Sequence, residues 1–477
     1  MDRKRTASGG AERGRERVAC DEYVALSRRR FMAASAAMLA APACFPRVSL
    51  ASSYSSAPLD VVVQIYLRGG QDGLSVVVPW NEANYASARP TIRLDGPGGG
   101  ANAVLDLPGG NTAASPTAPG GQVAFGFHPA MAPLMQAYAD GKFLAVQASG
   151  LTNTNKSHFD AQRFMEVAKV ADPTVGTGWL GRHLATQTTP LNPSGVLRAV
   201  GVANGLPISL LGADRAVPIP DLQNATGGSA LTNFDSYGLT GTTATKNARR
   251  ATIDAMHDAF GGTLAASADN TLATIQLLND IGAANYAHSI PAGNNPADYP
   301  TTQLGNALRS SAALIEAQVG VEAIAIDYGG WDTHNNQGDP SASGSISSPN
   351  ATMFRQIDTL AKALSAFYAD IIVGKGRSVC VVVLSEFGRR LGQNGTIGTD
   401  HGYGGLMFAL GNGIAGGRVL TSWPGLSNAQ PATNVDLGVT IDYRDILAEI
   451  VSARLGNGGN LGAIFPAYTP TFRGIVS

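Results

Sequence analysis

The chain has 477 residues, 44% hydrophobic and 14% charged, with a formal net charge of −1. That length can bury a large core and allows two or three domains, and the charge gives no sign of a basic nucleic-acid-binding surface. Glycine (58) and proline (26) are abundant, which points to a loop-rich α/β protein rather than a helical bundle.

The first stretch differs from the rest. Residues 1–30 are charged, and Ser27-Arg28-Arg29-Arg30-Phe31-Met32 leads into an apolar run from Phe31 to Ala43. A stretch of 13 residues falls short of the roughly 20 needed to span a bilayer. With the small residues Ser49-Leu50-Ala51 behind it, the segment 1–51 reads as a twin-arginine export signal. The plainer reading is an amphipathic or disordered N-terminus. On the export reading the mature protein is periplasmic or extracellular and meets the membrane only through this signal. The segment holds 10 of the 34 basic and 5 of the 35 acidic residues, so 24 basic and 30 acidic remain, a net charge of −6. Cys20 and Cys44 leave with it, and the remaining Cys380 cannot form an internal disulfide.

Beyond residue 51, short aliphatic runs alternate with helical patterns. "DVVVQIYL" (60–67) ends in Arg68-Gly69-Gly70-Gln71-Asp72-Gly73. Residues 93–122 are rich in Gly, Pro and Thr and read as a surface excursion. A helical pattern at 128–141 precedes "KFLAVQAS" (142–149), and another follows at 157–170. Residues 220–300, with a helical pattern at 249–262, read as an inserted helical cap. "VEAIAIDY" (321–328) runs into Gly329-Gly330-Trp331-Asp332-Thr333-His334. A long helical pattern at 352–372 leads to "VCVVVLS" (379–385), which ends in Glu386. Runs this apolar predict strands buried on both faces. Their alternation with helices predicts one α/β domain over 52–477 with a doubly wound, mainly parallel sheet.

In such sheets ligands sit beyond the carboxyl ends of the strands. The residues expected there are Asp72, Ser157, His158, Asp332, His334, Glu386, Asp400 and His401. Mixed carboxylate and imidazole donors suit Zn²⁺, Mn²⁺ or a related divalent ion, and a pair of ions can clamp both oxygens of an ester displacement. Asp72 fits a ligand or the Asp of an Asp-Gly turn. Ser157 opens "SHFD", which fits a capping box or a hydroxyl activated at a helix N-terminus, with His158 as ligand or support. Asp332 and His334 stand in a loop too polar for a packed core histidine. The Gly- and Asn-rich stretch 392–400 can bend to bring Asp400 and His401 to the same edge. Arg389 and Arg390 can hold an anionic oxygen or form surface ion pairs. His128 is placed at a helix start, and His183, His257 and His288 on helices or the surface.

Taken in order, "LRGGQDGLSVVVPW", "FGFHPAM", "SHFDAQRFME", "GWLGRHL", "GGWDTHNNQ", "LSEFGRR", "GTDHGYGG" and "IDYRDIL" resemble the motifs of the domain-of-unknown-function family 1501 over about residues 58–470. That family is related to sulfatases and alkaline phosphatases. The resemblance implies their doubly wound fold and a two-metal site. Asp72 resembles the first ligand and Ser157 the nucleophile. Asp332 and His334 resemble a metal pair, and His401 the last ligand. Glu386-Phe387 stands where the superfamily has Asp-His, a departure that puts one metal in doubt and that Asp400 could offset. The mature chain lacks a Cys- or Ser-x-Pro-x-Arg motif, so the formylglycine route of common sulfatases is unsupported. The resulting expectation is a hydrolase of anionic phosphate or sulfate esters carrying one or two divalent ions (Zn, Mn, Mg or Ca). Asp332, His334 and His401 bind one ion, with Asp72, Glu386 and Asp400 near a second. Ser157 attacks, and Arg68, Lys156 or Arg389 steadies the anion. A non-catalytic metal- or ligand-binding protein of the same fold is the alternative.

Overall fold

Each long apolar run becomes a strand because both of its faces find a layer to pack against. A computed structural model describes residues 60–109, 111–188, 190–191, 197–202, 205–219, 241–260, 286–426 and 436–477, with Gly262, Thr274, Leu277 and Ile281. In it, Val61–Leu67 (β1) is buried along its whole length. Val61, Val63, Ile65 and Leu67 enter one core, whereas Val62 and Tyr66 enter the other. The first core is closed by helices Gln303–Glu316 and Thr352–Phe367, through residues such as Leu308 and Ile357. The second is closed by His158–Val167 (α1), Trp179–Thr186 (α2) and, near the C-terminus, Tyr443–Ala453, through residues such as Met165, Leu180 and Ile446. Each such aliphatic side chain contributes about 1.5–3 kcal/mol on burial.

The remaining strands of the sheet are Phe143–Gly150 (β2), Ala199–Val202 (β3), Ala216–Ile219 (β4), Ala323–Tyr328 (β5), Val379–Ser385 (β6), Gly405–Gly411 (β7), Arg418–Leu420 (β8) and Ile441–Asp442 (β9). Their order is β8-β2-β7-β6-β1-β5-β3-β4, with β9 also pairing with β2. The nine-stranded sheet is mixed and mostly parallel, with helices packed on both faces. Val61 lies opposite Val379 and Leu67 opposite Ser385, while Val62 lies opposite Ala323. Only β7 runs against its neighbours, β6 and β2. The connection 386–404 contains no helix, so the chain returns directly instead of crossing over. As a result β1, β2, β5 and β6 end, and β7 begins, at one edge of the sheet.

Three peripheral expectations meet the structure differently. The helical pattern at 128–141 is split into a tight 3₁₀ turn, Pro129–Leu134, and a short helix, Met135–Ala139. Pro133 inside the turn has no N–H to donate and crowds the preceding carbonyl. The excursion at 93–122 carries a hairpin, Thr112–Ala114 with Gln122–Ala124, but also drives Leu94, Val104 and Leu107 into the core. Of the 220–300 insertion, the described part includes a largely exposed helix, Thr243–Phe260, and the buried Tyr299; residues 220–240 and most of 261–285 lie outside the described residues. The export-signal segment 1–51 lies outside them too. Among the described residues, no helix is long and apolar enough to cross a membrane.

Candidate metal centre at the sheet edge

The end of β1 turns through Gly69 and Gly70, both at positive φ (125° and 80°). A Cβ on Gly70 would meet the Phe387 ring at 2.5 Å, and one on Gly69 would collide with the backbone of Asp332. The glycines therefore let three strand-end loops close on one another. Arg389, whose side chain is fully buried, fastens them. Its guanidinium donates to the carbonyls of Gly70 (2.7 Å), Thr399 (2.9 Å), Trp331 (3.1 Å) and Gly69, and to Asp332 Oδ1 (2.6 Å). It is a clamp on the site's backbone, placed where sequence reasoning expected an anion contact.

Three imidazoles gather at Asp332. His334 Nε2 lies 3.2 Å and His401 Nε2 3.4 Å from Asp332 Oδ1, and His158 Nε2 lies 3.7 Å from Oδ2. His158, Asp332 and His401 each bring one donor atom within 4.8 Å of the others. His334 Nε2 is 3.0 Å from His401 Nε2. Behind the rings, every Nδ1 is engaged. His158 Nδ1 meets Glu386 Oε1 at 2.9 Å, His334 Nδ1 meets Asp400 Oδ1 at 2.9 Å, and His401 Nδ1 meets the Lys156 carbonyl at 3.1 Å. A carbonyl or a carboxylate accepts only from N–H, so in the neutral rings each Nε2 carries a lone pair toward Asp332. His158 Nε2 is buried and has no hydrogen-bond partner. The Phe387 ring backs His158 and His401, with centroids 5.0 and 4.7 Å away.

Converging lone pairs repel unless a positive charge sits among them. Burial pushes the Asp332 carboxyl up, but its neighbours His334, His401 and Arg389 outweigh that and hold the group well below the usual carboxylate range. Hydrogen bonding to Asp332 raises the His334 pKa, whereas burial lowers that of His401. A divalent ion would place that positive charge among the converging nitrogens. With one, the same atoms form an imidazole-rich donor set of the kind that takes Zn²⁺ and its neighbours, and one poorly matched to the all-oxygen preference of Mg²⁺ or Ca²⁺.

The other residues expected at the centre have these partners and positions. Asp72 is buried in a fork–fork pair with Arg89 (2.6 and 2.9 Å) and also accepts from Ser75 (2.6 Å) and Gln337 (2.5 Å). Glu386 is fully buried; besides meeting His158 it accepts from the Gly69 N–H (2.8 Å) and Gln162 (3.0 Å) and lies 3.0 Å from the Ser385 hydroxyl. Asp400 is half exposed and faces the outer nitrogen of His334. Arg68 forks onto Glu166 (2.9 and 3.0 Å), also reaches Asp327 (2.7 Å), and covers the Tyr66 ring. Lys156 is tied to Asp436. Ser157 is exposed at the N-cap of α1, and its side chain makes no capping bond. Arg390 is half exposed and reaches Asp400 only at 3.9 Å.

Sequence reading missed Arg89, Gln162 and Gln337 as parts of this edge. No local signal marks them, since their partners lie 17, 224 and 265 residues away. His128 starts a helical turn as expected: Nδ1 accepts from the Ala130 N–H, and Nε2 lies 3.0 Å from the Ile346 carbonyl.

A comparison with curated proteins finds no match. The family model described as "Protein of unknown function (DUF1501)" matches residues 60–449, most of the chain, and the protein belongs to that family.

Proposed function

We propose that this protein is an exported, metal-dependent hydrolase of phosphate or sulfate esters, with a fold of the alkaline-phosphatase and sulfatase kind. The observation that carries the reading is the convergence of imidazole Nε2 atoms on Asp332 at the sheet edge. Its support is Ser157, exposed and uncapped one residue before His158. Asp332, His334 and His401 hold the divalent ion, with His158 beside them. A bound ion supplies Lewis acidity toward the ester oxygen, which a serine hydroxyl, weak as a nucleophile at neutral pH, requires. The residues of the chain do the rest. The first turn of α1 presents the Ser157 oxygen near the positive end of the helix dipole. Arg390, at the rim, offers a guanidinium to an anionic ester oxygen. Phe387 keeps one wall of the site dry.

A second reading, a non-catalytic metal- or ligand-binding protein, is favoured by one observation. Arg68, Lys156 and Arg389 all spend their charge on protein groups, which leaves less cationic surface for an anion. The deciding experiment is metal content by mass spectrometry on protein purified without chelators, beside Asp332→Ala and His401→Ala. Near-stoichiometric metal lost in both variants, together with ester hydrolysis that Ser157→Ala abolishes while keeping the metal, is the expected result. Wild-type protein that stays empty after incubation with Zn²⁺ and Mn²⁺ sinks the proposal. Metal without hydrolysis of any phosphate or sulfate ester favours the second reading.

A further inference from the structure

Glu386 was expected near a second metal ion, and His158 as a ligand, a support or a catalytic group. The hydrogen bonds around them point to Glu386 as the support and His158 as the ligand. Glu386 is fully buried, and one oxygen, Oε1, already faces the Gly69 N–H, the Gln162 amide and His158 Nδ1, at 2.8, 3.0 and 2.9 Å. The other, Oε2, lies 3.0 Å from the Ser385 hydroxyl, whose single hydrogen also faces the Leu67 carbonyl at 2.7 Å. A carboxylate this committed has little left for an ion. What it does is fix the His158 ring, both in orientation and in tautomer. With Nδ1–H held by Glu386, the lone pair of His158 sits on Nε2. That is the buried ring nitrogen with no partner, 3.7 Å from Asp332 Oδ2.

The same grammar repeats at the other two rings, with Asp400 behind His334 and the Lys156 carbonyl behind His401. The Glu386 arm reaches deepest. Gln162 donates to Glu386 and accepts from Arg68 (3.3 Å), which forks onto Glu166. A line of buried polar groups thus runs from His158 to the second core and resists rotation of the ring. Asp72 is likewise taken, by Arg89. Both carboxylates that a second ion would need at this edge are therefore committed to protein partners.

We propose that Glu386 is a positioning residue: it sets His158 as the third imidazole ligand, beside His334, His401 and Asp332, of a centre that takes a single divalent ion. This rests on the metal reading above and deepens it. Groups of this kind behind a metal-bound histidine typically change affinity by about 10–100-fold.

The test uses the purified protein titrated with Zn²⁺ against a competing chelator and with Co²⁺ followed by its visible spectrum. Folding of each variant is checked by circular dichroism. The wild type should bind one Zn²⁺ per chain. Glu386→Gln, of the same shape, should keep one Zn²⁺ but bind it about 10–100-fold more weakly and shift the Co²⁺ bands. His158→Ala should weaken binding further, and added imidazole should restore the Co²⁺ spectrum by filling the vacated ligand position. A merely structural Glu386 would leave the Co²⁺ bands where they were. Two Zn²⁺ per chain, or His158→Ala with wild-type affinity and spectrum, overturns this assignment and leaves the metal-hydrolase reading standing. A wild type that binds no divalent ion overturns both.

Discussion

Removing the Arg389 guanidinium tests whether the site is built by its backbone clamp. The side chain is fully buried and bonds four carbonyls and one carboxylate, drawn from the loops after β1 and β5 and the loop before β7. Arg389→Ala leaves those acceptors facing a void. An orphaned buried acceptor costs about 1–3 kcal/mol, while Asp332, being partly exposed, can turn to water and adds less than a buried partner would. Water entering the void recovers part of this, so a loss of about 4 kcal/mol is expected. That is a large share of the roughly 5–15 kcal/mol that holds a domain folded. Arg389→Lys keeps the charge, but a single ammonium cannot span three loops, and about 2–3 kcal/mol should still be lost. The assay is urea unfolding followed by fluorescence, with metal content measured on the folded protein. Both variants should also hold the ion less tightly, because Asp332 loses its anchor. If both unfold within about 1 kcal/mol of the wild type, the clamp argument fails.

Two other perturbations separate stability from the centre. Arg89→Met strands the Asp72 carboxylate, which should cost about 3–5 kcal/mol while the folded fraction keeps its full metal content; metal lost in step with Arg89 would return Asp72 to the centre. His128 and His183 are both buried, and burial lowers each to about 4, with Arg198 adding to the effect at His183. Unfolding releases them to about 6.5, so the unfolded chain binds more protons between those values. Stability is therefore intact above pH 6.5 and falls as pH drops toward 4, by up to about 3 kcal/mol for each ring. His128→Asn retains a capping acceptor and should flatten its share of that slope in thermal melts between pH 6.5 and 4.5. An unchanged slope would refute the assignment to His128.

What the sequence determined by itself was four of the sheet's long strands and the kind of residue at their ends. A strand buried on both faces must be aliphatic throughout, so "DVVVQIYL", "KFLAVQAS", "VEAIAIDY" and "VCVVVLS" could be recognised locally, and the polar residues after them had to lie at the sheet edge. The direction of β7 was legible in principle, since a helix-free connection cannot make a parallel crossover. Which carboxylate faces what was decided only by tertiary structure. Asp72, Asp332 and Glu386 follow three strands in the same way, yet the first meets Arg89, the second three imidazoles, and the third the back of His158. Glu386 and His158 are 228 residues apart. A carboxylate's role is set by the charge folded against it, and that charge comes from parts of the chain that no local pattern connects.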